Sequence, residues 1–372
     1  MADIFFVSFL TAGISAVLAA IISVIDAIVN NYGDITIDIN SGKKQLVVKG
    51  GSPLLSTLGK EKIYIPSSCG GRATCGVCKV KVTSNIGPHL PTELPFMNDE
   101  EKEMNIRLSC QIKLKQDISI DVPESLFAVQ RFKTEVISLK NLCYDTKEVR
   151  LKLLEPNSIS FKPGQFAQIV IPPYGKLKEQ TIRAYSISSQ PSHRNVLEFI
   201  IRQVPEGIAT TYVHTKMHEG EQIDIIAPMG DFYVHDNTDI MICISGGSGM
   251  APFKSILFDM FEKQIERKAV WYFHGGNTLR DMYNMELFQE LEKKWPIFHF
   301  APVLFKPNPQ DNWQGETGLV TEGATNKFGK EINLAELADA YLCGSPGLID
   351  ASIKILTQAG LDASKIYYDK FA

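Results

Sequence analysis

Three of the seven cysteines in this 372-residue chain fall within ten positions, Cys69, Cys75 and Cys78 of SSCGGRATCGVCKVKV. Their spacing is C-x5-C-x2-C, and the nearby fourth thiol is Cys110 in RLSCQ. Four thiolates hold either a Zn2+ ion or a [2Fe-2S] cluster. Structural zinc sites pair two short knuckles, whereas here only Cys75 and Cys78 form one, and Cys69 and Cys110 each stand alone. A single long loop that donates three ligands suits a cluster whose sulfides need backbone N–H donors. Gly70, Gly71 and Gly76 permit that close approach. The spacing therefore points to a cluster held by Cys69, Cys75, Cys78 and Cys110.

A second group of residues suits nucleotides. In Arg183-Ala184-Tyr185-Ser186 an arginine can pair a pyrophosphate, a tyrosine can stack on a planar ring and a hydroxyl can meet a ring nitrogen. About twenty residues on, Gly207-Ile208-Ala209-Thr210 opens a helical pattern whose first N–H groups and Thr210 hydroxyl can bind phosphate. Together they suggest a flavin site. Ser245-Gly246-Gly247-Ser248-Gly249-Met250-Ala251-Pro252 lies between an apolar strand and a helix, the context of a dinucleotide phosphate loop. Cys343-Gly344-Ser345-Pro346 ends another apolar strand, where ligands of open α/β sheets collect. Phe371 reads as the end of a packed strand, or as a stacking lid if the flavin site is real. Cys243 reads as core and Cys143 as a loop bystander. The seven histidines show no ligand spacing, and no nucleophile–base arrangement supports a hydrolase.

The elements that must position these residues fall into blocks. ITIDI and QLVVKG around NSGKK predict a hairpin, and Ser52-Pro53 an N-cap and first turn of a short helix that ends before IYIP. KVKV and DISIDV close this block. Six alternating runs, TEVISL, EVRLKLL, FAQIVI, AYSIS, VLEFIIRQV and QIDIIAP, predict an antiparallel six-stranded β-barrel. After Asp239 strands and helices alternate through IMICI, FKSILFDMFEKQI, AVWYFH, MELFQELEKKW, FHFAPVL, INLAELA, AYLCG and LIDASIKILTQAG, which predicts a parallel, doubly wound sheet.

Ile4 to Ile25 carries no charge. As a helix it would run roughly 33 Å, enough for a bilayer core of about 30 Å. The chain starts MAD and its apolar run is long, so it reads as a retained transmembrane anchor and not a cleaved signal. Asp3 precedes the run and Lys43 and Lys44 follow it, which places the remaining chain in the cytoplasm. In a reducing compartment clustered cysteines are metal or cluster ligands. With 38 Lys+Arg against 42 Asp+Glu and no basic tract, nucleic acid is not an expected partner.

CGGRATCGVC with LSCQ, then RAYS, GGSGMAPF, PQDNWQG, CGSP and a closing DKF, in that order, resemble the family of F subunits of sodium-translocating NADH:quinone reductases over nearly the whole chain. GDITIDIN, PTEL and QDISIDVPE agree. More broadly the chain is similar to ferredoxin reductases fused to a ferredoxin, among them reductase components of oxygenases. The resemblance implies an anchor at 1–32, a β-grasp [2Fe-2S] ferredoxin domain at 33–128, an FAD-binding barrel at 129–236 and a Rossmann-like NADH-binding domain at 237–372. By matching position, Arg183, Tyr185 and Ser186 meet the flavin phosphate, ring and ring nitrogen, and Thr210, beside Gly207, the pyrophosphate. Gly247 and Gly249 border the NADH pyrophosphate within the stretch that includes Gly246, Met250 and Pro252. Cys343, next to Gly344, approaches the nicotinamide, and Phe371 covers the flavin until the nicotinamide displaces it. Two features depart from the family: only GKLKEQ separates IPPY from TIRAYS where the family carries a long insertion, and the chain ends FA where the family has a glycine pair after the phenylalanine.

NADH gives up two electrons as a hydride and a [2Fe-2S] cluster takes one at a time, so a flavin between them serves as converter. The first reading is a bacterial inner-membrane, single-pass NADH dehydrogenase subunit that feeds quinone or a downstream redox subunit within a multi-subunit, sodium-translocating complex. The alternative is a stand-alone NADH-dependent reductase that feeds an oxygenase or another iron protein. A zinc-stabilised membrane scaffold is the non-enzymatic reading. NADH is expected over NADPH: Arg280 after HGGNT can meet a 2′-phosphate, but Asp281 and Glu286 oppose one.

Overall fold

A computed structural model describes residues 12–23, 32–235, 238–334 and 337–371. The chain divides into two compact units, one made of the chain up to residue 67 with 71–127, the other of 68–70 and everything from 128 onward.

In the first unit, residues 12–23 form helix α1, whose Ile14, Val17, Leu18, Ile21 and Ile22 are all exposed. The rest of the apolar run from Ile4 to Ile25 lies outside the described residues. Among the described residues no helix is long and apolar enough to cross a membrane. A five-stranded sheet follows, built from β1 (Asp34–Ile39), β2 (Lys44–Lys49), β3 (Lys79–Val82), β4 (Ile106–Leu108) and β5 (Ile118–Asp121), with helices α2 (Leu54–Lys60) and α3 (Asp99–Glu103). Its order is β2-β1-β5-β3-β4, with β1 and β5 parallel and the other pairs antiparallel. The alternation of DITIDI buries Ile35, Ile37 and Ile39 on one face, and Leu54 and Leu58 of α2 are fully buried with them. Each such side chain contributes roughly 1.5–3 kcal/mol. Helix α2 starts one residue later than the sequence suggests, with Pro53 in the N-cap place and no side-chain cap. Ser52 is held in extended pairing instead: its carbonyl accepts from Leu114 N (3.0 Å), and Leu54 N donates to Ile112 O (2.8 Å).

The second unit begins with six antiparallel strands, β6 (Gln130–Asn141), β7 (Thr146–Glu155), β8 (Phe166–Ile171), β9 (Thr181–Ser186), β10 (Val196–Arg202) and β11 (Gln222–Met229), with α4 (Ile208–Thr215) between the last two. Their order is β10-β7-β6-β11-β8-β9. The sheet curls until its edges meet at the Ile187–Phe199 bridge, and Val149, Leu151, Ile169, Phe199 and Ile225 fill the interior. All six strands expected from alternation are present.

Then follow β12 (Ile240–Gly246), α5 (Met250–Glu262), β13 (Ala269–Gly276), α6 (Met285–Lys294), β14 (Phe298–Leu304), β15 (Glu316–Thr317), α7 (Val320–Lys327), β16 (Ala338–Gly344), α8 (Pro346–Gln358) and β17 (Ile366–Lys370). These strands are all parallel, in the order β15-β14-β13-β12-β16-β17. Successive residues of β12 face opposite layers: Met241 and Cys243 pack toward α5 and α6, Ile242 and Ile244 toward α7 and α8. Winding starts at β12, runs outward to β15 and resumes on the other side of β12 at β16. The switch point therefore lies between β12 and β16. The helix before β16 is α7; in INLAELA, Ile332 makes a bridge to Phe328, and Asn333 and Leu334 are not helical. VTEGATNK is weak by propensity, yet Gly323 brings α7 against Val303 of β14, where an added Cβ would lie 2.7 Å from a Val303 methyl.

Candidate functional site

Cys75, Cys78 and Cys110 belong to the first unit, and Cys69 lies in the 68–70 stretch grouped with the second. Cys78, at the foot of β3, and Cys110, just past β4, are buried and in thiol-to-thiol contact. That contact, and then burial, push the Cys78 thiol well up. Ser109 joins the two segments: its N and Oγ both donate to Cys78 O, at 2.8 and 2.9 Å. Among the described residues no three His, Cys, Asp or Glu side chains converge on a position for one metal ion. A [2Fe-2S] cluster takes its thiolates in pairs, two per iron, and a buried Cys78–Cys110 pair fits that donor pattern. The loop also fits. Gly70, Gly71 and Gly76 all have positive φ, an added Cβ at Gly71 would sit 3.9 Å from Cys110 Cβ, and one at Gly76 would meet Phe96 at 2.7 Å.

In the second unit Arg183, Tyr185 and Ser186 all come from β9. Arg183 Nη1 donates to Ile182 O at 2.7 Å, and Tyr185 packs against the barrel core, where burial pushes its phenol up. Ser186 Oγ lies 3.5 Å from Asp369 Oδ2 of β17. Asp369 is pushed up to about 6, first by burial and further by Asp231, with Ser186 opposing. It is a site residue that single-residue reading passes over, although it stands in the DKF ending. Thr210 sits in the first turn of α4, where its hydroxyl accepts from Val204 N (3.1 Å) and closes the 204–210 turn. Gly207 stands in the N-cap place.

At the switch point the glycine stretch turns the chain from β12 into α5. Gly246 ends β12, Gly247 takes φ 55°, and Met250 and Pro252 begin α5. A Cβ on Gly249 would fall against the Cys343 carbonyl oxygen, well inside van der Waals contact, so only glycine lets the loop close on β16. Cys343 is fully buried at the end of β16, and burial, then Asp369, push its thiol far up. Phe371 packs on the same apolar cluster as Cys343, and its N donates to Gly344 O at 2.9 Å. Ser245, Cys343 and Asp369 stand at matching register on β12, β16 and β17. Thus β9 on the barrel side and β12, β16 and β17 on the sheet side bring Ser186, Asp369, Cys343 and Phe371 to one edge.

Beside this edge, Ser245 Oγ bonds Tyr272 OH (2.9 Å) and His274 Nδ1 (2.8 Å), and burial lowers His274 to about 3, leaving it neutral. Tyr283 OH donates to Gly247 O (2.8 Å) and steadies the glycine turn. At the end of β13, Asp281 accepts from Thr278 N and Oγ1, both at 2.8 Å, and from Tyr144 OH at 2.9 Å, while the Arg280 guanidinium lies 4.0 Å over the Tyr144 ring. Cys243 is core, as expected. Cys143 is half-buried and donates to Asp145 Oδ1 at 3.2 Å.

Three family models match the chain: a 2Fe-2S iron-sulfur cluster binding domain at 37–115, an oxidoreductase FAD-binding domain at 133–233 and an oxidoreductase NAD-binding domain at 241–354. The chain accordingly takes a [2Fe-2S] cluster, FAD and NADH. It is 32% identical over 374 residues to the F subunit of the Na(+)-translocating NADH-quinone reductase of Neisseria meningitidis serogroup C, covering 91% of this chain and 92% of that one. The corresponding F subunit of Pseudomonas aeruginosa is 32% identical over 388 residues, covering 95% of each. Among solved structures, a cytochrome P450 reductase from Amycolatopsis shares the fold, with a TM-score of 0.72 at 24% identity over 91% of this chain and 98% of that one.

Proposed function

Because this chain belongs to the family of Na(+)-translocating NADH-quinone reductase F subunits, we propose that it is the electron-input component of a membrane-bound, sodium-translocating quinone reductase. It is an oxidoreductase that passes electrons from NADH through FAD to a [2Fe-2S] cluster. The geometric observation that supports this reading is the single edge at which Ser186 and Asp369 meet Cys343 and Phe371, since hydride transfer requires flavin and nicotinamide side by side.

Cys69, Cys75, Cys78 and Cys110 would hold the cluster, the buried Cys78–Cys110 pair excluding water from one side of it. Arg183, Tyr185, Ser186 and the first turn of α4 at Gly207 and Thr210 would hold FAD, which supplies the conversion of a two-electron hydride into single electrons. Gly246, Gly247 and Gly249 would admit the NADH pyrophosphate at the start of α5, with Met250 and Pro252 shaping that turn and Gly344 its far wall. Phe371 would cover the flavin position and yield it to the nicotinamide, which Cys343 borders. Asp281, fixed by Thr278 and Tyr144, would oppose a 2′-phosphate and so favour NADH.

The working organisation is an anchor at 1–32, a cluster domain at 33–128, a flavin barrel at 129–236 and a nucleotide domain at 237–372. Helix α1 supports the anchor, because five large apolar side chains left exposed on one short helix call for a lipid surrounding. The soluble domains then face the cytoplasm of a bacterium from its inner membrane, and quinone or a further redox subunit receives the electrons. The test is affinity purification of the full-length chain from native membranes. Multi-span redox subunits and quinone-reducing activity should accompany it, whereas recovery with a soluble oxygenase and no such subunits would overturn the assignment in favour of a stand-alone reductase.

A further inference from the structure

Leu90, Thr92, Glu93, Arg107, Leu108 and Gln111 form a brace around Cys110 without themselves ligating the cluster or taking part in catalysis. Glu93 is fully buried and its carboxylate accepts from Arg107 Nε and Nη2, Leu90 N and Leu108 N, at 2.7 to 3.1 Å. That grip fixes β4 two residues before Cys110. The neighbouring Thr92 donates its hydroxyl to Gln111 Oε1 at 2.9 Å. Gln111 in turn aims its amide nitrogen at Cys110, 3.8 Å from Sγ and 3.5 Å from the carbonyl oxygen. With Cys110 deprotonated as a cluster ligand, a flipped amide would turn its carbonyl oxygen onto the thiolate sulfur and the Cys110 carbonyl, both acceptors. Thr92 of PTEL thus holds, from 19 residues earlier in the chain, the amide that faces the Cys110 sulfur.

We propose that Gln111, oriented by Thr92, is a positioning residue that sets the reduction potential of the cluster through an N–H···S bond to Cys110. The proposal rests on Cys110 being a cluster ligand. Adding one electron to the cluster raises negative charge on its sulfurs, so a donor at Sγ stabilises the reduced form more than the oxidised form and raises the potential. Without it the cluster accepts an electron from the flavin less readily. Thr92 acts one step back, by keeping the amide nitrogen turned to the sulfur.

The experiment is an EPR-monitored redox titration of the purified full-length protein, with iron and sulfide content measured in parallel. Gln111→Leu should keep its iron and sulfide and shift the midpoint to a more negative value by about tenfold in the one-electron equilibrium constant, which is about 59 mV. Thr92→Val, which keeps the amide but frees its orientation, should shift it the same way by less. An unshifted midpoint in a fully loaded Gln111→Leu protein overturns the proposal. If that variant fails to assemble its cluster, Thr92→Val decides, and an unshifted midpoint there overturns it equally. Absence of a cluster from the unsubstituted protein would instead overturn the ligand assignment itself.

Discussion

Cys78 and Asp369 carry the sharpest expectations at the scale of single residues. Cys78→Ser should abolish the EPR signal of the reduced cluster yet leave NADH oxidation by ferricyanide within about twofold of the unsubstituted rate, because that path ends at the flavin. Loss of both together would mean that the cluster cysteines also support the flavin site. Asp369 is pushed up to about 6 from an ordinary 3.8. Between those pH values the folded protein binds the extra proton, so stability falls as pH rises from about 4 to 6 and is level above. Asp369→Asn should remove that slope from urea midpoints measured across the window, and an unchanged slope would assign it to other groups. The proposed ligands Cys69, Cys75, Cys78 and Cys110 can be picked from the sequence because spacing constrains thiolate chemistry, and the structure adds that Cys78 and Cys110 lie together and buried. Asp369 was not legible, because only β17 pairing with β16 carries it to Ser186, 183 positions earlier in the chain.

Among the elements, the turn between β12 and α5 and the strand β4 each admit a test. Gly249→Ala forces a methyl against the Cys343 carbonyl, a backbone atom with no room to retreat, and overpacking of this kind costs about 1–3 kcal/mol. The expected outcome is at least a tenfold loss in kcat/KM for NADH with flavin and cluster content intact. Glu93 and Arg107 are both buried. Burial alone would push the Glu93 carboxyl up, but the bonds from Arg107, Leu90 N and Leu108 N prevail and hold it below its usual range. Arg107→Leu leaves that carboxylate unpaired and should lower stability by about 3–5 kcal/mol, while the double substitution with Glu93→Leu should recover much of it. Chemical denaturation of the three variants checks this, and a double variant no better than the single one would contradict it. Alternation and glycine punctuation exposed every strand of the barrel and the doubly wound order. Helix α7 was hidden, since VTEGATNK has weak propensity and is stabilised by packing on β13 and β14, while INLAELA has a helical pattern but sends Ile332 and Ala338 into the core from a bridge and from the start of β16.

Taken together, the three matched domains carry electrons from NADH through FAD to a [2Fe-2S] cluster, and under the proposed function the N-terminal segment attaches them to a membrane. Deleting residues 1–32 should yield a protein that keeps NADH:ferricyanide activity and the cluster signal, leaves the membrane fraction and loses quinone reduction. Retention in membranes after that deletion would place the attachment elsewhere. The family was legible from its motifs in order along this chain, and relatives that share about a third of its residues over nearly its whole length agree. Charge pattern and apolar length point to an anchor, but no backbone period can report which partner receives the electron.

The path itself is open to one decisive measurement: NADH is added anaerobically to the purified full-length protein while flavin absorbance and the cluster EPR spectrum are recorded. The expected result is bleaching of the flavin together with the appearance of a reduced [2Fe-2S] signal. Bleaching without that signal, in protein shown to contain iron and sulfide, would break the path between flavin and cluster.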